Sequence, residues 1–210
     1  MISGKNTRTE FECLLQARND HPDQSAEIDQ QIQEIFSHTC AIFVLDMSGF
    51  SQLTLRHGIL HFLGMIRRMR VISEPIVLQF EGRVIKQEAD NLFAMFPDVM
   101  SAIAASFSIL KDLAAVNTGL PDEQDIYVGI GIGYGEVLVV GDDDLYGSEM
   151  NLACKLGEDL ARRSEILLTQ SAFQEVQHHP GVWEPLDLSI SGIALVAHRV
   201  RSLLGVSQIA

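Results

Sequence analysis

RVIKQEADNLFAMF, residues 83–96, restricts the possible folds more than any other stretch. Apolar residues alternate into it and run out of it, with Glu88, Ala89, Asp90 and Asn91 at the junction. The pattern predicts two short adjacent strands around a tight turn. Upstream, CAIFVLDM (40–47) is a continuous apolar run and reads as a buried strand. GILHFLGMIRRMRVISEPIVLQF has apolar residues at helical spacing (Ile59, Phe62, Leu63, Ile66, Met69, Ile72). It predicts a helix to about residue 80, with Pro75 a kink or an early end. DVMSAIAASFSILKDLAAVN (98–117) predicts a second amphipathic helix capped by Asp98. DIYVGIGIGYGEVLVVG (125–141) reads as a strand, a sharp glycine turn and a second strand. YGSEMNLACKLGEDLARRS predicts a third helix, EILLT a strand, and WEPLDLSISGIALVAHRV a closing hairpin.

Strand, helix, strand, strand, helix, strand is the split βαβ order of an α+β, ferredoxin-like βαββαβ core, here with an additional helix and a C-terminal hairpin. The helix between the first two strands makes them parallel, and the hairpin partner lies antiparallel between them. Asp46, ending the first strand, and Asp90, at the hairpin tip, then share one edge of the sheet. Residues 1–38 form an N-terminal helical extension with a helical pattern in EIDQQIQEIF, and 39–205 the main domain.

With 210 residues, 47% of them hydrophobic, the chain can bury one sizeable core. A net charge of -13 argues against a nucleic-acid partner, which needs a basic face. It leaves room for a small phosphorylated ligand held by a few cations or a metal. Cys13, Cys40 and Cys154 are far apart with no CxxC pair, the usage of a reduced protein without a disulfide framework. The first twenty or so residues lack the apolar region of a signal peptide, and no apolar run approaches the ~20 residues that span a bilayer. No membrane partner and a cytoplasmic location are expected.

Two carboxylates converging on one edge repel unless a cation lies between them. Such oxygen-rich sites suit Mg²⁺ or Mn²⁺, which borrow further ligands from substrate phosphates. The turn after Asp46 would aim backbone N–H groups at phosphate. Asp is equally at home as a helix cap and in a turn, so spacing alone leaves both readings open.

VLDMSGFSQLT, GRVIKQEADNLFAMF, GIGIGYGEVLVVG and DDDLYGSEMNLACKL, taken together, resemble the catalytic domain of class III nucleotidyl cyclases over residues 39–175. The resemblance implies an adenylate cyclase that converts ATP to 3′,5′-cyclic AMP and pyrophosphate by two-metal-ion catalysis. Asp46, Asp90 and the Met47 carbonyl match its ligands for two Mg²⁺ or Mn²⁺. Ser48, Gly49 and Phe50 match its triphosphate turn. Lys86 and Asp144 match its adenine-reading pair, Asn151 its ribose-orienting asparagine. Lys155 falls where the family usually has an arginine that stabilises the pentacoordinate phosphorus. The resemblance also implies a head-to-tail homodimer, with the metal aspartates from one subunit and the other residues from its partner. A separate regulatory protein or the N-terminal extension would supply control.

The residue types suit these roles. A Lys and Asp pair complements the ring nitrogen and amino group of adenine and mismatches the guanine carbonyl. Asn151 and Lys155, at i and i+4, share a helix face. Three positions depart from the pattern: Lys155 lacks the guanidinium fork, Ser191 stands near a usual phosphate-binding lysine, and Ala89 replaces a glycine. These departures keep two alternatives open, a cyclase for another nucleotide and a catalytically weak ATP-binding regulatory module.

Other patterns carry less. GIGIGYG lacks G-x-G-x-x-G spacing, and no P-loop occurs. His57 and His61 lack a third ligand; His178, His179, Asp142 and Asp143 read as solvated loop residues. Glu88 has no assigned role, and MIRRMR (65–70) reads as a solvated basic helix face.

Overall fold

Two helices precede the first strand, α1 (Arg8–Asp20) and α2 (Ser25–Phe36). The structure, a computed structural model, describes residues 5–190 and 193–203, with backbone alone at 50–53, 189–190 and 193–194. The Thr7 hydroxyl caps α1 by accepting from the Glu10 N–H at 3.2 Å. T-x-x-E is the sequence mark of such a start, unread in the periodicity above. Phe11 of α1 meets Phe36 of α2 edge-on at 5.1 Å, and that contact anchors the pair.

β1 (Ser37–Met47) is apolar on both faces and needs cover on both. Ala41, Phe43, Leu45 and Met47 enter the larger core, while Cys40, Ile42 and Val44 enter a smaller one on the opposite side. The chain turns into α3 (Phe50–His57) and α4 (Ile59–Gln79). Helical spacing predicts only the second; Gly58, at φ 83, separates them. Pro75 does not end α4. The Val71 carbonyl loses its helical partner to Pro75, and Val71 lies on an exposed side of the helix.

β2 (Arg83–Glu88) and β3 (Asn91–Phe96) form the expected hairpin. β3 pairs antiparallel with both β2 and β1, so β1 and β2 are parallel. Ala89 takes φ 47 in the two-residue turn, a region L side chains enter at a cost. Ala89→Gly is expected to raise stability by about 0.5–1 kcal/mol, the relief of strain less the glycine's added unfolded-state entropy. A denaturant titration reads this directly. The Arg70 guanidinium donates to the Ala89 carbonyl at 2.7 Å, so part of the basic helix face braces the turn rather than facing water alone.

Asp98 caps α5 (Val99–Asn117) as the sequence predicts, accepting from the Ser101 N–H at 2.8 Å. By length and composition alone α5 is long and apolar enough to cross a membrane, a test that a core helix also passes, and half of its apolar window is buried inside the molecule.

The glycine-rich run departs most from expectation. It contains no turn: β4 is one continuous strand, Val128–Val140. It is followed by β5 (Asp144–Tyr146), α6 (Ser148–Cys154) and a π-helical turn, Lys155–Leu160. Gly129, Gly131 and Gly133 lie on one strand face, and the third helix is laid directly on them. A Cβ on Gly131 would stand 2.2 Å from the Ala153 carbonyl oxygen and 2.5 Å from the Gly157 nitrogen. On the other face Ile130 and Ile132 fill the main core. The glycines thus permit close approach, not chain reversal.

β6 (Ile166–Thr169), α7 (Gln170–Val176) and the closing hairpin of β7 (Gly181–Ile190) and β8 (Ile193–Leu203) complete the chain. The sheet order is β2-β3-β1-β4-β6-β8-β7, with β5 beside β4. Its first four positions are those of the predicted ferredoxin-like core.

Candidate functional site

Antiparallel pairing sets Asp46 opposite Asn91, next to Asp90, so the two predicted aspartates meet at one sheet edge. Burial pushes the Asp46 carboxyl up to about 7, helped by repulsion from Asp90, Glu158 and Asp159. Asp90 is raised by its own burial. Glu158 and Asp159 come from the π-helical turn, and the Asn91 amide donates to Glu158 at 3.2 Å. The Asn91 side-chain oxygen is buried with no partner. Among the described residues no group of three or more His, Cys, Asp or Glu is placed so that it could hold a metal ion.

Lys86 and Asp144 also meet. Their Nζ–Oδ1 distance is 3.0 Å, and both side chains are mostly buried. A β-bulge between Val84 and Lys86 makes this possible. Because the bulge adds a residue, Ile85 enters the smaller core while Lys86 also lies over the Phe93 ring at 5.0 Å. Glu88, without an assigned role in the sequence, sits 3.3 Å from Lys86. Asp144 is held below the ordinary carboxylate range by hydrogen bonds from Lys86, Tyr146 and the Leu145 N–H, which outweigh its burial.

The remaining predicted residues are placed less simply. Met47 is buried at the strand end. The Ser48 N–H donates to the Tyr127 carbonyl at 2.8 Å and is therefore not turned outward for phosphate, a correction to the expected turn. Gly49, at φ 96, carries the reversal into α3. The Phe50 side chain and Ser191 lie outside the described residues. Asn151 is exposed on α6, and Lys155 opens the π-helical turn, pairing with Asp159 at 2.7 Å. The third helix is thus shorter than predicted and ends in a widened turn that carries Glu158, one of the carboxylates acting on Asp46.

No family model matches the chain. Putative adenylate cyclase 3 of Rhizobium meliloti (strain 1021) is 25% identical over 175 residues, 74% of this chain. The chain spans about 30% of that relative's length. The adenylate/guanylate cyclase/hydrolase from Silicibacter pomeroyi superimposes with TM-score 0.68 at 22% identity, over 78% of this chain and 96% of that one. The guanylyl cyclase Cya2 gives TM-score 0.72 at 17% identity, over 82% and 98% of the two chains. This chain has the class III nucleotidyl cyclase fold. In that fold the Asp46 edge and the Lys86–Asp144 pair lie on the side of the sheet covered by α6.

Glu158, Asp159 and Tyr146 were not singled out from the sequence, and Asn91 and Arg70 were noted there without a role in the site. Only the GEDL carboxylates gave a signal, recurring three and four residues after Lys155 along one helix. Of two cavities of about 380 and 400 Å³, one lies between α2 and the β4–β5 hairpin and reaches Tyr146, the other between α5 and β6–β8.

Proposed function

We propose that the chain is an adenylate cyclase, forming 3′,5′-cyclic AMP and pyrophosphate from ATP in a head-to-tail homodimer. The observation that carries this reading is the acidic end of β1, where strand pairing sets Asp46 opposite Asn91 and next to Asp90 at one sheet edge. That donor set fits a hard divalent ion such as Mg²⁺ or Mn²⁺. It offers two carboxylates and, beside them, a buried amide oxygen on Asn91 that has no partner. Asp46, Asp90 and the Met47 carbonyl would hold two such ions, leaving coordination positions for phosphate oxygens. When bound, the ions would supply charge neutralisation at the phosphates and acidity to the ribose 3′-hydroxyl.

The chain's own residues orient the rest. Lys86 donates to a ring nitrogen of adenine and Asp144 accepts from its amino group. Asn151 fixes the ribose. The 3′-hydroxyl gives its proton to water, and its oxygen attacks the α-phosphorus in line as the bond from that phosphorus to the α,β-bridging oxygen breaks and pyrophosphate leaves. Lys155 places positive charge on the α-phosphoryl oxygens after releasing Asp159. Positioning and charge stabilisation account for most of the rate.

Incubation with Mn²⁺ or Mg²⁺ and each of the four ribonucleoside triphosphates, with products identified by mass, tests the reading. Cyclic AMP from ATP alone is the expected result. Another cyclic nucleotide would refute the base assignment, and bound ATP without product would favour a regulatory binding module. Lys155→Arg is expected to keep or raise turnover, by up to about 10-fold if the fork adds one charge-assisted hydrogen bond. Initial rates at saturating ATP read it.

The dimer can be tested by mixing. Asp46→Ala removes the metal half-site and Asn151→Ala the ribose half-site, so each variant alone should be inactive. Mixed in equal amounts, the chains form mixed dimers, each with one intact composite site. About a quarter of the unsubstituted activity should return if pairing is random. No recovery after subunit exchange would place all the residues of a site in one chain.

A further inference from the structure

The base-reading carboxylate is already fully occupied, and one of its partners comes from the N-terminal segment. Asp144 Oδ1 accepts from Lys86 Nζ at 3.0 Å and from the Leu145 N–H at 3.0 Å. Its Oδ2 accepts from the Tyr146 hydroxyl at 2.8 Å and from Arg8 Nη2 at 3.4 Å. A carboxylate offers about four lone-pair positions, so a base amino group can bind only by displacing a donor.

Three of the four donors are built in. The Leu145 N–H belongs to the adjoining residue. Tyr146 is held by stacking on Phe11, with ring centroids 5.6 Å apart. Lys86 carries three N–H groups, so it can keep Asp144 and still reach a base. Arg8 makes the longest contact, and its side chain is 43% exposed. It is the donor that can leave at least cost.

We propose that Arg8, the first residue of α1, is a further specificity-determining residue of the base site, competing with the nucleobase amino group for Asp144 Oδ2. Docking of the Arg8 side chain and reading of an amino-bearing base are then mutually exclusive, and by linkage each weakens the other equally. Asn6 ties the same segment to the β4–β5 hairpin, its amide donating to the Val139 carbonyl at 2.9 Å and accepting from the Gly141 N–H at 2.6 Å. Anything that pulled this segment away would therefore free the acceptor.

The inference rests on the adenine reading above, and the test separates the two. Dissociation constants are measured by calorimetry for ATP and for purine riboside 5′-triphosphate, which lacks the amino group, with the unsubstituted chain and with Arg8→Ala. Arg8→Ala is expected to tighten ATP by about 2- to 5-fold, the range of an exposed ion pair, and to leave the amino-free analogue unchanged. Equal tightening of both ligands would mean that Arg8 obstructs the site without regard to the amino group, since loss of its positive charge could only weaken the hold on a triphosphate. Weaker or unchanged ATP binding would make it a brace or a bystander. Either result overturns the proposal while leaving the cyclase reading in place. Failure of the unsubstituted chain to bind ATP at all would remove both.

Discussion

Asp90→Ala is expected to lower the proposed cyclase turnover by on the order of 1000-fold or more, the several kcal/mol that metal-borne charge stabilisation would supply. The fold should not suffer. Asp90 is raised by its own burial, and it also pushes Asp46 up. Removing one of two repelling carboxylates relieves the metal-free protein, so its melting temperature should stay level or rise. A functional site kept against local electrostatic cost behaves in this way. Asp46→Ala should show the same two effects. Initial rates with Mn²⁺ and ATP, with a thermal melt of each variant, check both halves. Full turnover in Asp90→Ala would show that the metal assignment is wrong.

Gly131→Ala is expected to give the largest loss of stability from a single methyl group. The added Cβ would lie 2.2 Å from the Ala153 carbonyl oxygen and 2.5 Å from the Gly157 nitrogen. Both are backbone atoms, so no side-chain rotation relieves the overlap. Either the helix lifts off the strand or the strand bends. A cost of about 3 kcal/mol, at the upper end for overpacking, corresponds to a fall of roughly 6–12 °C in Tm for a domain of this size. The same displacement would lift Asn151, Lys155 and Glu158, so activity should fall in the fraction that remains folded. Gly58→Ala is a useful contrast: nothing lies within 4 Å of its Cβ, and only its φ of 83 opposes the change.

Much of the architecture could be read along the chain because its causes are local. The apolar run before Asp46, the hairpin around Ala89 and Asp90, the Asp98 cap and the closing hairpin depend on residues a few positions apart. Strand pairing then follows from the connecting helix, so the meeting of Asp46 with Asp90 was legible. The glycine run was misread for a physical reason. Glycine signals a turn when only chain neighbours are considered, whereas at Gly131 the deciding neighbours are Ala153 and Gly157.

The site divides along the same line. Sequence alone put forward the residues of the proposed site: the aspartate pair, the Lys86 and Asp144 pair assigned to the base, and the Asn151 and Lys155 helix face. Tertiary structure alone decided what surrounds them. Glu158 reaches Asn91 across 67 positions, and Arg8 reaches Asp144 across 136. No periodicity links such pairs, because they meet only where packing onto the glycine face and docking of α1 bring separate segments to one carboxylate. Local propensity fixes the elements and the groups they carry; burial and charge between distant elements fix which of those groups can be used.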